Sequence, residues 1–149
     1  MYKRQYWKRT APPPNLVAFD APNREICTIT RGNTTTPLQA LVTLNDVQFT
    51  EAARVFASKI LQQKISDDQK LTWAFTEVVS RPPSAAELQI LQRTLARESQ
   101  RYQKDPARAK TVLQLGETPL NAEVDPVAQA TWMQVATLLF NLSETITRQ

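Results

Sequence analysis

The chain has no histidine. That absence removes the commonest general base, the commonest metal ligand and the usual haem ligand together. A single cysteine, Cys27, forms no internal disulfide and no thiolate metal cluster. Only two glycines, Gly32 and Gly116, occur in 149 residues. Turns that need positive φ are therefore scarce, which disfavours a hairpin-rich β fold. No run of 18 apolar residues exists, so no transmembrane helix is expected. The opening residues are basic and aromatic with no apolar segment behind them, so they do not read as a secretory signal.

What is present points to helix. A hydrophobic content of 42% is ordinary for a globular chain, and the length suits one domain with a real core. Ten prolines sit mostly at segment boundaries, where proline starts or stops helices. The net charge is +4, but Lys3, Arg4, Lys8 and Arg9 fall in the first ten residues with no acid among them. The rest of the chain holds 14 side chains of each sign. The excess is a terminal tag of charge, not a basic face, and no nucleic-acid partner is expected.

Residues 1–35 show no sustained period and read as an irregular, Pro-rich N-terminal arm. Pro12-Pro13-Pro14 is a stiff spacer, Ile26 to Thr30 alternates like a short strand at best, and Gly32 ends it. Residues 36–149 read as a helical domain of five to six amphipathic helices. Thr36-Pro37 opens the first, with Leu38, Leu41, Val42 and Leu44 as its apolar run. Asp46 caps a second through about Gln63, with Phe49, Ala53, Phe56 and Ile60 on one face. Ser66 restarts a third that Arg81-Pro82-Pro83 stops. Ser84 and Glu87 form a capping box for a fourth reaching about Lys104. Asp105-Pro106 opens a fifth that ends near Gly116, a suitable C′ residue. Asp125-Pro126 opens the last, whose stripe runs from Ala128 through Trp132, Val135, Leu139 and Leu142 to Ile146.

Few constellations carry chemistry. Arg93, Arg97 and Arg101 repeat every four residues and could bind phosphates, but a solvated face with Glu98 close by is the simpler account. Trp132, Met133 and Phe140 are at core spacing rather than in a cofactor box. Met133 could serve as an axial haem ligand only to a haem held elsewhere. Carbohydrate binding would want exposed, coplanar aromatics; Trp7, Trp73 and Trp132 are scattered, and the last two lie in amphipathic helices where core is expected. The sharpest group is Asp20, Arg24, Glu25 and Cys27. Asp20 and Glu25 could converge for acid–base work, but a fold-locking ion-pair network through Arg24 is favoured, because no base stands beside them. Cys27 is either a small buried hydrophobe or half of a disulfide with a mate elsewhere. No catalytic signature, cofactor site or metal site is expected in this chain.

At these residues the sequence resembles the C-terminal part of the planctomycete cytochrome c-associated proteins, the family of domain of unknown function 1553. The resemblance rests on Trp7-Lys8-Arg9-Thr10, Pro12-Pro13-Pro14, Phe19 to Glu25 with Cys27, and Thr36-Pro37-Leu38-Gln39-Ala40-Leu41 with Leu44-Asn45-Asp46. It continues in Phe49, Glu51-Ala52-Ala53-Arg54, Ala74-Phe75, Arg81-Pro82-Pro83 with Glu87-Leu88, and Asn141-Leu142 with Glu144 and Ile146-Thr147. It covers the chain from about residue 6 to the end. Thr35 stands where the pattern usually has asparagine, and Val47 where a proline often follows Asn-Asp. Met1 to Gln5 departs from the family's lead-in and is set apart as a candidate artefact.

The resemblance implies a C-terminal fragment of a bacterial, exported, multidomain parent at the periplasm or cell surface, sometimes linked with polysaccharide use. It implies upstream domains as partners, among them a c-type cytochrome domain, so that any haem would belong to another domain. The function expected is an accessory or structural helical module. The alternative is part of an oxidoreductase that passes electrons to the cytochrome domain, with Asp20, Arg24 and Glu25 at the edge of a shared site. Export would place Cys27 in a disulfide-permissive setting.

Overall fold

The computed structural model describes residues 14–22, 29, 34, 36–120 and 124–146. These hold eight helices and no strand: α1 (Pro14–Ala18), α2 (Pro37–Asn45), α3 (Val47–Gln62), α4 (Asp67–Val79), α5 (Ala85–Lys104), α6 (Pro106–Leu113), α7 (Pro126–Phe140) and α8 (Ser143–Ile146). The mostly helical expectation holds, and the count exceeds the five to six expected. The two additions are short helices at the ends. The strand expected over Ile26 to Thr30 falls largely outside the described residues.

Side-chain caps start six of the helices. Thr36 accepts from the Gln39 N–H while Gln39 Oε1 accepts from the Thr36 N–H, with Pro37 at the first helical position. Asp46 serves two helices at once: its N–H closes α2 on the Val42 carbonyl, and its carboxylate accepts the Gln48 N–H of α3. Ser66 with Gln69 and Ser84 with Glu87 form the capping boxes of α4 and α5. Asp105 and Asp125 cap α6 and α7, each followed by a proline whose missing N–H costs nothing there. Each cap satisfies backbone donors that a helix start leaves open, typically worth about 1 kcal/mol.

α7 lies at the centre. It packs most extensively against α3, then α5 and α6, and also touches α2, α4 and α8. Its sequence explains the position: Ala130, Trp132, Met133, Val135, Ala136 and Leu139 are buried on nearly every side, as befits a helix apolar all round. Around it gather Ile60 of α3, Leu71 and Phe75 of α4, Leu91 and Tyr102 of α5, and Leu113 of α6. The polar groups inside are answered. Gln134 Nε2 donates to the Tyr102 hydroxyl at 2.9 Å, and Gln129 Nε2 donates to Ser58 Oγ at 2.7 Å.

Three boundaries differ from expectation. The arm contains α1, which ends in a Schellman turn: the Ala21 N–H reaches the Leu16 carbonyl at 3.0 Å and the Asp20 N–H reaches that of Val17 at 3.1 Å. The fifth expected helix stops at Leu113, before Gly116. The last one breaks at Asn141, whose Oδ1 accepts from Thr43 Oγ1 of α2 at 2.9 Å; α8 then restarts at Ser143. A tertiary bond between helices ends α7 where no glycine or proline marks the place.

Candidate functional site

Of the four residues singled out in the arm, the structure describes Asp20. Arg24, Glu25 and Cys27 lie outside the described residues, as do Trp7 and the first two prolines of Pro12-Pro13-Pro14. Asp20 is the left-handed residue of the Schellman turn, with φ of 54°. An aspartate tolerates that region better than most side chains. Its carboxylate accepts two hydrogen bonds from Thr34, from the N–H at 2.9 Å and from Oγ1 at 2.5 Å. Thr34 Oγ1 in turn accepts from Gln39 Nε2 at 3.5 Å. The chain of contacts ties the end of α1 to the capped start of α2. The Thr34 hydroxyl, then its N–H, holds the Asp20 carboxyl below the ordinary carboxylate range. An anion held in this way accepts hydrogen bonds; it is not poised to take a proton near neutrality.

A second clasp joins α3 to the segment after α6. Glu51 Oε1 accepts from the N–H groups of Glu117 at 3.1 Å and Thr118 at 2.6 Å, and also from Thr118 Oγ1. Those bonds, Thr118's first, lower the Glu51 carboxyl below its usual range. Arg54, only 2% exposed, donates from Nη2 to the Thr118 carbonyl at 2.6 Å. Its Nη2 also stands 3.7 Å from Glu51 Oε1. Gly116 makes the approach possible. Its φ is 97°, and a Cβ there would sit 2.6 Å from Glu51 Cδ. The Glu51-Ala52-Ala53-Arg54 motif thus has a physical content: two ends of a clasp flanking Ala53, which is buried against the core.

The third cluster was not visible in the sequence. Arg81 presents both edges of its guanidinium to acids. Nη1 and Nη2 donate to Glu87 at 3.0 and 2.7 Å, while Nε and Nη2 donate to Glu144 at 3.0 and 2.9 Å. The guanidinium carbon lies 5.0 Å from the Phe75 ring centre. One side chain therefore fastens the end of α4, the start of α5 and α8 together. The guanidinium holds Glu87 down to about 2, with help from the Ser84 N–H, and also lowers Glu144. The acid limb of stability follows. Both carboxylates titrate lower in the folded chain than their ordinary 4.5, so the stability they add is complete above that pH. It is lost as pH falls from about 4.5 toward 2. Denaturant titrations across that window should show stability falling less steeply in Glu144→Gln than in the wild type. Added salt should weaken the effect, because the three side chains are partly open to water.

The other candidates resolve plainly. Arg97 Nε and Arg101 Nη1 both pair with Glu98, at 3.0 and 3.2 Å, and Glu98 is 5% exposed. Two members of the arginine row are thus committed to a buried acid rather than free for phosphates. Trp132 and Met133 are in the core, as expected. Among the described residues no three His, Cys, Asp or Glu side chains gather as metal ligands, and no helix is long and apolar enough to cross a membrane. Trp73 and Phe140 depart from expectation. They are only partly buried, and with Phe56 they line an open groove of about 670 Å³.

One surface is at odds with the rest of the fold. In α2 the leucines face out, whereas Gln39 and Thr43 face in. Leu38, Leu41 and Leu44 are 57%, 55% and 45% exposed, whereas Gln39 and Thr43 are buried. Val47 at the start of α3 is also exposed, as are Leu16 and Val17 of α1, which packs against α2. Neither α1 nor α2 carries a charged residue. Single exposed leucines are normal on a surface; here several gather on two touching helices without charge.

The fold and these clusters define a helical domain in which Asp20, Glu51, Arg54, Arg81, Glu87, Glu98 and Glu144 are committed to holding helices and loops together. The chain matches the family model PSD1, protein of unknown function (DUF1553), over residues 2–95, and it belongs to that family. The match takes in residues 2–5, and it ends before the Asn141-Leu142 and Glu144 motifs. No curated protein and no solved structure matches the chain.

Proposed function

We propose that the chain is an accessory, structural module of a larger exported protein of the cytochrome c-associated kind, and that it docks on a neighbouring domain through the leucine face of α1 and α2. The observation that carries this reading is the inversion of α2. A nine-residue helix that buries Gln39 and Thr43 while exposing three leucines is facing the wrong way for a free surface. Covering those leucines removes apolar area from water and leaves no charge to desolvate, which is the favourable form of interface burial. Asp20, Glu51, Arg54, Arg81, Glu87, Glu98 and Glu144 already have structural work, which also favours a module that holds rather than reacts.

The alternative is an oxidoreductase passing electrons to a c-type cytochrome domain. It would want the Asp20 carboxylate unengaged at the lip of a cleft. Thr34 engages it instead. Asp20→Asn in the full-length protein separates the two readings. The amide keeps the size and tolerates the left-handed turn, so it should fold with at most a modest loss of stability and leave haem reduction unchanged. Intact folding with at least a tenfold loss of electron transfer would contradict the accessory reading.

A further inference from the structure

A second surface, on α5 and α6, is set apart by its charge and does not depend on the leucine face. The even balance of bases and acids after residue 10 hides a segregation. Arg93, Arg97, Arg101, Lys104, Arg108 and Lys110 are all exposed, and that stretch holds only two acids, Glu98 and Asp105. The two signs take different flanks of α5. Gln92, Ser99 and Gln103 share one side of the helix; there Gln92 bonds Asp68, and Ser99 and Gln103 line a cavity with Asp67, Asp125 and Lys70. Arg93, Arg97, Arg101 and Lys104 share another side, at spacings of four and three residues. This side is built around a buried acid. Glu98 is 5% exposed, and a carboxylate held out of water has to be answered by cations. Its two oxygens take Nε of Arg97 and Nη1 of Arg101. Each guanidinium is thereby held by one edge, and its other N–H groups have no partner among the described residues. The two side chains remain 72% and 46% exposed. Arg101 also lies over the buried Tyr102 ring, 6.0 Å from its centre. Burial raises the Tyr102 hydroxyl against the Gln134 bond and the charges of Arg101 and Arg108, so Arg108 of α6 stands close to the same ring.

The chemistry of the surface selects its partner. Among the described residues from Arg93 to Lys110 no large apolar side chain is exposed. A lipid surface takes up basic helices that also carry apolar anchors, and single-stranded nucleic acid takes up basic surfaces that carry aromatic platforms. Neither is present here. A duplex offers a continuous row of phosphates, which would meet the exposed Asp105 between the two helices. A protein surface offers carboxylates one at a time, and a guanidinium fork matches a carboxylate edge for edge. Two forks already held by Glu98 lose less freedom when they pair than free arginines would. We propose that the α5–α6 face binds an acidic protein surface, with Arg97 and Arg101 as carboxylate-binding forks oriented by the buried Glu98 and Lys104 and Arg108 adding charge beside them.

Equilibrium binding of the chain to poly-L-glutamate tests it, with duplex DNA and phosphatidylserine vesicles as the other anions. Every variant keeps Lys3, Arg4, Lys8 and Arg9, so differences between variants report on α5 and α6. Arg97→Lys combined with Arg101→Lys keeps each charge and removes both forks, and should weaken binding to polyglutamate about tenfold. Glu98→Gln raises the net charge, so undirected attraction would tighten binding; loss of the oriented forks should weaken it instead. Lysines still answer Glu98, so the double lysine variant should fold and decides the matter if Glu98→Gln does not. Polyglutamate binding that the lysine pair leaves unchanged, or that Glu98→Gln tightens, overturns the proposal. So does no binding to polyglutamate, or tighter binding to DNA or to the vesicles that depends on the same two arginines.

Discussion

Arg54→Ala should destabilise the chain by about 3 kcal/mol, a large share of the stability of an ordinary domain. Three losses add up. The buried stem leaves a cavity on α3, the Thr118 carbonyl loses a charge-assisted donor at 2.6 Å, and Glu51 loses the cation beside it. For a chain of this length that is a fall of roughly 10 °C in melting temperature. Arg54→Met should cost clearly less. It keeps the stem volume, and it removes a buried Nε that has no hydrogen-bond partner. The order wild type, then Met, then Ala in urea unfolding would show that the arginine packs as well as pairs. Equal losses for Met and Ala would put the effect in the charge alone.

The second large effect is on association rather than stability. Replacing Leu38, Leu41 and Leu44 together by glutamine removes the exposed apolar ridge of α2 and touches nothing buried. Glutamine is a good helix former, so the melting temperature of the chain by itself should change by no more than a few degrees. In the full-length protein the same variant should free the module from its neighbour, seen as new protease cleavage at its boundaries. Interfaces concentrate their energy in a few central apolar side chains, so a triple change at the ridge should weaken docking by 100-fold or more. A variant with a large drop in melting temperature as a free chain would instead mean that the leucines pack within the module.

What was legible in the sequence was local. The caps at Thr36, Asp46, Ser84, Asp105 and Asp125 fall where side-chain chemistry and proline positions put them, because a cap answers backbone groups within four residues of itself. What was not legible depended on partners far along the chain. The Arg81 to Glu144 bonds span 63 residues, and no spacing rule announces them. α7 ends early because Asn141 bonds to Thr43, which lies 98 residues away. α1 is five residues long, too short to show a period, and Asp20 takes the left-handed position where glycine would have signalled it. Trp73 was expected inside because it sits in an amphipathic helix, yet periodicity gives a face and not its depth. The orientation of α2 is the instructive failure. Its leucines define an apolar stripe, but the stripe cannot say which neighbour it is for. Gln39 and Thr43 turn inward because their hydrogen bonds to Thr34, Thr36 and Asn141 are satisfied there.

Amide hydrogen exchange along α2 tests the central claim most directly, measured in this chain alone and again in the full-length protein. Docking through the leucine face predicts that amides from Leu38 to Asn45 exchange at least tenfold more slowly in the full-length protein, while those of α7 are unchanged. The same α2 protection in both would contradict a docking face on α2.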